Sequence, residues 1–228
     1  MITSLNGVVI IVGNYGSGKT EVSINLAVQA KKQGRDVRVA DLDLVNPYFR
    51  TREARELFKR LEIPLVLPPA QYMQADLPIL DPAVAGLIRS ASDLAILDVG
   101  GDDVGATVLA ALADALKSRE NLVLMVINPN RPYTDTVEGC QRVRARIENR
   151  CKLKVGGWIG NANLMEETTL DAIYAGYRFV NSLAAESGLP LYGITAMGAL
   201  IDRIDRGRVT CPVLPMQRHL VPPWLKAE

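Results

Sequence analysis

A doubly wound α/β fold, with a mostly parallel sheet and helices on both faces, is predicted by two observations. Apolar, β-rich runs alternate with helical patterns along most of the chain. The runs are continuous in their hydrophobicity rather than alternating with polar residues, which is the pattern of strands buried on both faces. A third observation places the chemistry. Gly13-Asn14-Tyr15-Gly16-Ser17-Gly18-Lys19-Thr20 has the phosphate-binding spacing G-x-x-x-x-G-K-[ST], and it stands between an apolar run and a helical pattern, the setting the motif needs.

The elements follow in order. Gly7 to Val12 reads as a buried strand, and Glu21 to Gln33 as a helix stopped by Gly34. Val37 to Ala40 is a strand, Thr51 to Leu61 a helix, Pro82 to Ala91 a short helix and Leu94 to Leu97 a strand. Then come a helix over Ala106 to Lys117, a strand over Leu122 to Ile127 and a helix over Thr134 to Asn149. The strand Val155 to Gly160, a helix over Thr168 to Ser187 and the strand Leu191 to Ile194 complete the series. The stretch from Pro64 to Pro82 holds five prolines and reads as an irregular connection. Pro212 to Glu228 reads as a proline-rich tail without regular structure, closing a single domain over 1–228.

Composition narrows the classes. A net charge of +1 does not advertise a polyanionic partner, which disfavours nucleic acid. Cys140, Cys151 and Cys211 are widely spaced and odd in number, against a disulfide framework, and a lone His219 leaves no zinc-like cluster. No basic leader precedes an apolar run, and no stretch approaches the ~20 apolar residues of a membrane span. A cytoplasmic location is the expectation, with a membrane partner disfavoured.

In the loop, glycines let the backbone close around phosphate oxygens, and successive N–H groups with the helix N-terminus supply partial positive charge. Lys19 brings a full charge to the β- and γ-phosphates, and the Thr20 hydroxyl is a candidate Mg2+ ligand. Ligands in such sheets bind beyond the carboxyl ends of strands, which directs attention to the residues that follow each strand. Asp41-Leu42-Asp43 follows the second strand. Residues two apart in a strand face one side, so both carboxylates are candidates for the phosphate site, Asp41 for Mg2+ and Asp43 for the attacking water. The same pair fits a capping turn before Pro47. Asp98-Val99-Gly100-Gly101 follows the strand at 94–97: Asp98 is a candidate Mg2+ partner, and Gly101 a candidate N–H donor to the γ-phosphate.

With Ile127-Asn128-Pro129 after the next strand, these motifs resemble the MinD/ParA-like branch of P-loop ATPases, which includes nitrogenase iron protein and CobQ/CobB-type nucleotide-binding domains. The likeness extends over most of the chain and implies a P-loop NTPase of the SIMIBI class. It implies Asp43 as the residue that positions water, Asn161 as an amide at the nucleotide base, and a nucleotide-dependent homodimer acting on a protein partner. Asn161 equally fits a turn. One departure stands out: the family loop K-G-G-x-G-K-[ST] carries a lysine that reaches the partner's nucleotide, and here that position is Asn14. Slow intrinsic hydrolysis is then expected. The loop also resembles that of urease- and hydrogenase-maturation GTPases, but their N-K-x-D guanine motif and Cys or His metal ligands are missing, so ATP is favoured over GTP.

Weaker features complete the reading. Arg142, Arg144, Arg146, Arg150, Lys152 and Lys154 form a basic patch that fits a solvated helix face better than a docking site. Asn46 to Arg52 couples Tyr48 and Phe49 to two arginines and fits a switch segment or ordinary packing. The leading expectation is a Mg2+-dependent ATPase coupling nucleotide state to a partner. The alternatives are a small-molecule kinase or ATP-dependent synthetase on the same fold, a maturation-type GTPase, and a binding module with negligible hydrolysis.

Overall fold

The structure, a computed structural model, describes residues 2–43, 51–67, 82–101 and 103–220. One eight-stranded sheet organises them, in the order β3-β2-β4-β1-β5-β6-β7-β8, with all neighbours parallel. The strands are β1 (Gly7–Gly13), β2 (Val37–Leu42), β3 (Leu65–Val66), β4 (Leu94–Val99), β5 (Asn121–Ile127), β6 (Val155–Gly160), β7 (Leu191–Met197) and β8 (Val213–Met216). The helices are α1 (Lys19–Lys32), α2 (Arg55–Arg60), α3 (Pro82–Arg89), α4 (Asp103–Ala111), α5 (Ala113–Leu116), α6 (Val137–Cys151), α7 (Leu170–Ser187) and α8 (Gly198–Ile201). Short 3-10 turns lie at Ile2–Ser4, Thr51–Ala54 and Met165–Glu167.

The continuous hydrophobicity of the strands has a direct counterpart in the packing. Along β1, Val8, Ile10 and Val12 enter one core while Val9 and Ile11 enter the other. The first core lies under α3 to α7 and is built around Leu97, Leu109, Met125, Trp158 and Val180. The second lies under α1 and α2 and includes Val22, Leu26, Phe58, Leu124 and Ile159. A strand carrying both faces must be apolar at every position, which is why its period-2 signal vanishes. The two long C-terminal-half helices begin where their hydroxyl caps allow. Thr136 Oγ1 accepts from the Gly139 N–H at 3.0 Å, and Thr169 Oγ1 from the Ala172 N–H at 3.2 Å.

Several expectations are corrected. The helix predicted over Ala106 to Lys117 starts earlier, at Asp103, and is broken at Leu112 into α4 and α5; the break lets Leu109, Leu112, Ala115 and Leu116 all reach the core. The helix predicted from Thr134 starts at Val137, because Thr134 is fully buried and its hydroxyl donates to Asn128 O at 2.8 Å. The connection after Pro64 includes β3, which pairs with β2 at one sheet edge; residues 68–81 lie outside the described residues.

The largest correction is at the C-terminal end, where Pro212 to Glu228 was expected to lack regular structure. Val213–Met216 is instead the outermost strand on the β7 side. Pro215 is compatible with that place because an edge strand leaves one side of its backbone unpaired, so the missing N–H costs no ladder bond there. Beyond it the chain is fastened to α1. Asn25 Nδ2 donates to Gln217 O at 2.9 Å while Gln217 N donates to Asn25 Oδ1 at 2.8 Å. The Glu21 carboxylate accepts the N–H groups of His219 and Leu220 at 2.9 and 2.7 Å. Burial pushes the Glu21 carboxyl up, against the lowering effect of those two N–H groups and of Arg218. Residues 221–228 lie outside the described residues.

Candidate functional site

β1, β2, β4 and β5 deliver their carboxyl ends to one place, and the loop 13–20 sits over them. The helix begins at Lys19, two residues before the predicted start, so Lys19 and Thr20 already belong to its first turn. Gly18 caps it with φ +87°. A side chain there would be strained, and its Cβ would fall 2.2 Å from Asn161 Nδ2. The Lys19 ammonium is folded back into the loop, donating to Asn14 O at 3.1 Å. Gly101 closes the loop from the β4 side. A Cβ on Gly101 would meet Lys19 Nζ at 2.8 Å and both Gly13 O and Tyr15 N at 3.0 Å. The loop backbone and the β4 turn therefore touch only because both are glycine-rich. Asn14, Ser17, Lys19 and Thr20 are buried, whereas the Tyr15 side chain is 73% exposed at the tip. Ser17 Oγ is buried and has no hydrogen-bond partner among the described residues.

Beneath the loop lies a carboxylate pair. Asp41 and Asp98 face each other across the β2–β4 register, both with no exposure. Asp98 is held by hydroxyls: Ser23 Oγ donates to Oδ1 at 3.1 Å and Thr51 Oγ1 to Oδ2 at 2.6 Å, and Thr20 contributes a further side-chain hydrogen bond. Burial, and then the neighbouring Asp41 charge, push the Asp98 carboxyl up to about 7, against the lowering effect of Thr51, Lys19 and Thr20.

Asp43 is placed differently from the expectation. β2 ends at Leu42, so the strand pleat that was to align Asp41 with Asp43 does not extend to Asp43. Instead the Asp43 N–H donates to Asp41 Oδ1 at 3.0 Å, a local turn of the capping kind. Asp43 is buried beside Asp41, and the segment 44–50 that follows, with Tyr48 and Phe49, lies outside the described residues.

Asn161 ends β6 beside the loop. Its Nδ2 donates to Ser17 O at 2.7 Å, its Oδ1 accepts from Thr195 Oγ1 at 2.5 Å, and its N–H donates to Ile127 O at 2.7 Å. The amide was expected at a base; its visible work is to brace the loop against β5 and β7. Thr51, Ser23 and Thr195 were not singled out from the sequence. Ser23 carried a usable signal, four residues after Lys19 and so on the same helix face. Thr51 and Thr195 carried none, since both come to the site through long-range packing.

Among the described residues there is no group of three or more His, Cys, Asp or Glu side chains arranged to hold a metal ion. The donors that do gather, the Thr20 hydroxyl with the Asp98 and Asp41 carboxylates, are hard oxygens. They fit Mg2+, which takes one or two carboxylates and fills its octahedron with water and phosphate oxygens. The basic patch is partly spent within the chain: Arg144 and Lys154 bind Glu148 at 2.9 and 3.0 Å.

No family model matches the sequence, and no curated protein matches it. Solved structures do resemble the fold. The cell division protein FtsY from Thermotoga maritima matches at 20% identity with a TM-score of 0.60, over 85% of this chain and 62% of that one. FtsY from Elizabethkingia anophelis in complex with GDP matches at 18% identity and a TM-score of 0.54, over 85% and 57%. A nucleotide-binding protein from Archaeoglobus fulgidus in complex with ADP matches at 21% identity and a TM-score of 0.51, over 90% and 87%. The chain thus spans less than two thirds of the FtsY chains. The fold is the α/β fold of P-loop NTPases, which these structures share. These neighbours do not set the MinD/ParA branch apart within it. Among the described residues, no helix is long and apolar enough to cross a membrane.

Proposed function

We propose that this chain is a MinD/ParA-like P-loop nucleotide-binding protein that binds Mg-ATP in the loop 13–20 and, with Asn14 where that family has a lysine, hydrolyses it slowly. One observation carries the reading: the Lys19 ammonium is already lodged inside a glycine-lined loop, over a buried Thr20–Asp98–Asp41 oxygen set. Successive loop N–H groups and the start of α1 supply the anion-binding field. Mg2+ held by Thr20 and Asp98, with Asp41 behind, would neutralise phosphate charge there. Asp43 accepts the proton of the attacking water as its oxygen bonds to the γ-phosphorus and the bond to the β-phosphate oxygen breaks, giving ADP and phosphate.

Adenine is favoured by the sequence after β6. Asn161-Ala162-Asn163-Leu164 has alanine and leucine where N-K-x-D has lysine and aspartate, so no carboxylate stands ready for the guanine edge. The ADP complex of the Archaeoglobus protein, which this chain matches over most of both lengths, agrees with adenine. GTP is the second reading, favoured by the GDP complex of the Elizabethkingia FtsY. A nucleotide-dependent homodimer acting on a protein partner belongs to the same proposal, on the strength of the motif resemblance.

Thermal stability with Mg-ATP and Mg-GTP tests the reading. Ligand at about 100 times its Kd adds roughly 2.7 kcal/mol, a shift of a few degrees for a chain of this size. Lys19→Ala is expected to abolish the shift with either nucleotide. An unchanged shift in that variant removes the loop as the site, and a larger shift with GTP than with ATP replaces adenine by guanine. Light scattering with ADP and with a non-hydrolysable ATP analogue tests the dimer, which a monomer in both states would refute.

A further inference from the structure

We propose that Arg131 supplies, within its own subunit, a second cation for the terminal phosphates of the nucleotide. The inference rests on the nucleotide-binding reading above and assigns a role that the loop sequence leaves unfilled. In the resembling family the position of Asn14 carries a lysine. Here the Asn14 amide is turned away from any such task and donates to Pro132 O at 3.1 Å. That bond ties the phosphate loop to the connection between β5 and α6, and Arg131 is the residue next to the tie.

The connection is held at every step. Asn130 N donates to Asn128 Oδ1 at 3.0 Å, Arg131 N to Asn128 O at 3.2 Å and Thr134 N to Arg131 O at 3.2 Å; Thr134 Oγ1 closes the turn on Asn128 O. On this frame the Arg131 side chain lies along the phosphate loop. A methyl group on Gly16 would be 3.5 Å from its Nε, 3.6 Å from Cδ and 3.8 Å from Cζ, which is ordinary van der Waals contact. Surface arginines are commonly solvated and mobile, but this one has a pinned backbone and a side chain that passes within a methyl group's reach of Gly16.

The end of the loop it occupies is set by Lys19, whose ammonium is at Asn14 O. The P-loop lysine serves the β- and γ-phosphates, so residues 14–16, and Arg131 beside them, stand at the terminal-phosphate end. Among the described residues the guanidinium makes no hydrogen bond or ion pair, and it is exposed. Toward the described residues it is therefore uncommitted, with a planar fork of N–H donors suited to two oxygens of one phosphoryl group. Charge on the γ-phosphoryl oxygens is what such a group stabilises during transfer.

The test is titration of wild type, Arg131→Ala and Arg131→Lys with Mg-ADP and with a Mg-bound non-hydrolysable ATP analogue, together with single-turnover hydrolysis of Mg-ATP. Arg131→Ala is expected to lose roughly 10- to 100-fold in analogue affinity or in turnover, the usual worth of a charge-assisted contact. ADP affinity should hardly change, and Arg131→Lys should fall between. Asn14→Ala, which releases the connection, should move the same ratio in the same direction by less. An analogue-to-ADP affinity ratio and a turnover rate equal to wild type in Arg131→Ala would overturn the inference while leaving nucleotide binding intact. Wild type that binds neither nucleotide overturns the underlying reading as well. Mixing Arg131→Ala with Lys19→Ala separates the subunits: turnover that stays low supports action within one chain, and recovered turnover overturns it in favour of a partner's arginine.

Discussion

Asp41 and Asp98 stand opposite each other on adjacent parallel strands, both without exposure, and the Asp98 carboxyl is pushed up to about 7. Two neighbouring carboxylates without exposure are costly unless a proton or a cation offsets their charge. Under the proposed reading, Mg2+ would supply that charge at the carboxyl end of the sheet, beneath the loop 13–20. It also makes stability depend on pH.

The sign follows from the direction of the shift. Asp98 has an ordinary value of 3.8 and a folded value of about 7, so the folded state keeps a proton that the unfolded chain has released. Its contribution to stability is complete below the ordinary value and is lost as pH rises through the folded one. In chelator and without nucleotide, wild type should melt lower at pH 8 than at pH 5. Asp98→Asn, which keeps the shape and removes the buried charge, should flatten that decline. Melting curves of both proteins at the two pH values check this, and parallel declines would show that Asp98 is not the titrating group.

Asp43→Asn and Asp98→Asn should fail in different ways. The first leaves an amide that cannot take the water's proton, so Mg-ATP affinity is expected to persist while turnover falls, on the order of 100-fold or more. The second should weaken Mg2+-dependent binding itself. Phosphate release and calorimetric titration of the two variants distinguish the cases. Wild-type turnover in Asp43→Asn would strike Asp43 from the mechanism.

Asn161 offers a stability test that does not depend on catalysis. Asn161→Ala leaves Ser17 O and the Thr195 hydroxyl without their partner, and unsatisfied buried groups cost about 1–3 kcal/mol each. Denaturant unfolding should show a loss in that range, and nucleotide affinity should fall because the Ser17 carbonyl is no longer braced. Unchanged stability would mean that the amide's role is at the base rather than in the loop.

Much of the site was legible in the sequence because it is local. The spacing from Gly13 to Thr20 fixes a loop and a helix start whatever surrounds them, and continuous apolar runs could be placed only in a sheet covered on both faces. Asp98 drew attention as an acidic residue ending a core strand, and the structure sets it beside Asp41, Ser23 and Thr51. What the sequence misread lies where a neighbour overrides local pattern. Proline at 215 argued against a strand, yet an edge position tolerates the missing N–H. The i, i+2 spacing of Asp41 and Asp43 promised a shared face, yet the strand stops between them.

The sequence by itself determined the layered α/β fold, the phosphate loop and the identity of its lysine, since each depends on residues within a few positions of one another. Only the tertiary structure decided that Thr51 grips Asp98, that Asn161 props the loop from three strands, that Asn14 is tied to Pro132 and that Arg131 lies along Gly16. These contacts join residues 47 to 144 positions apart or bring separate loops together. Their partners are chosen by strand order and core packing, which no spacing along the chain encodes.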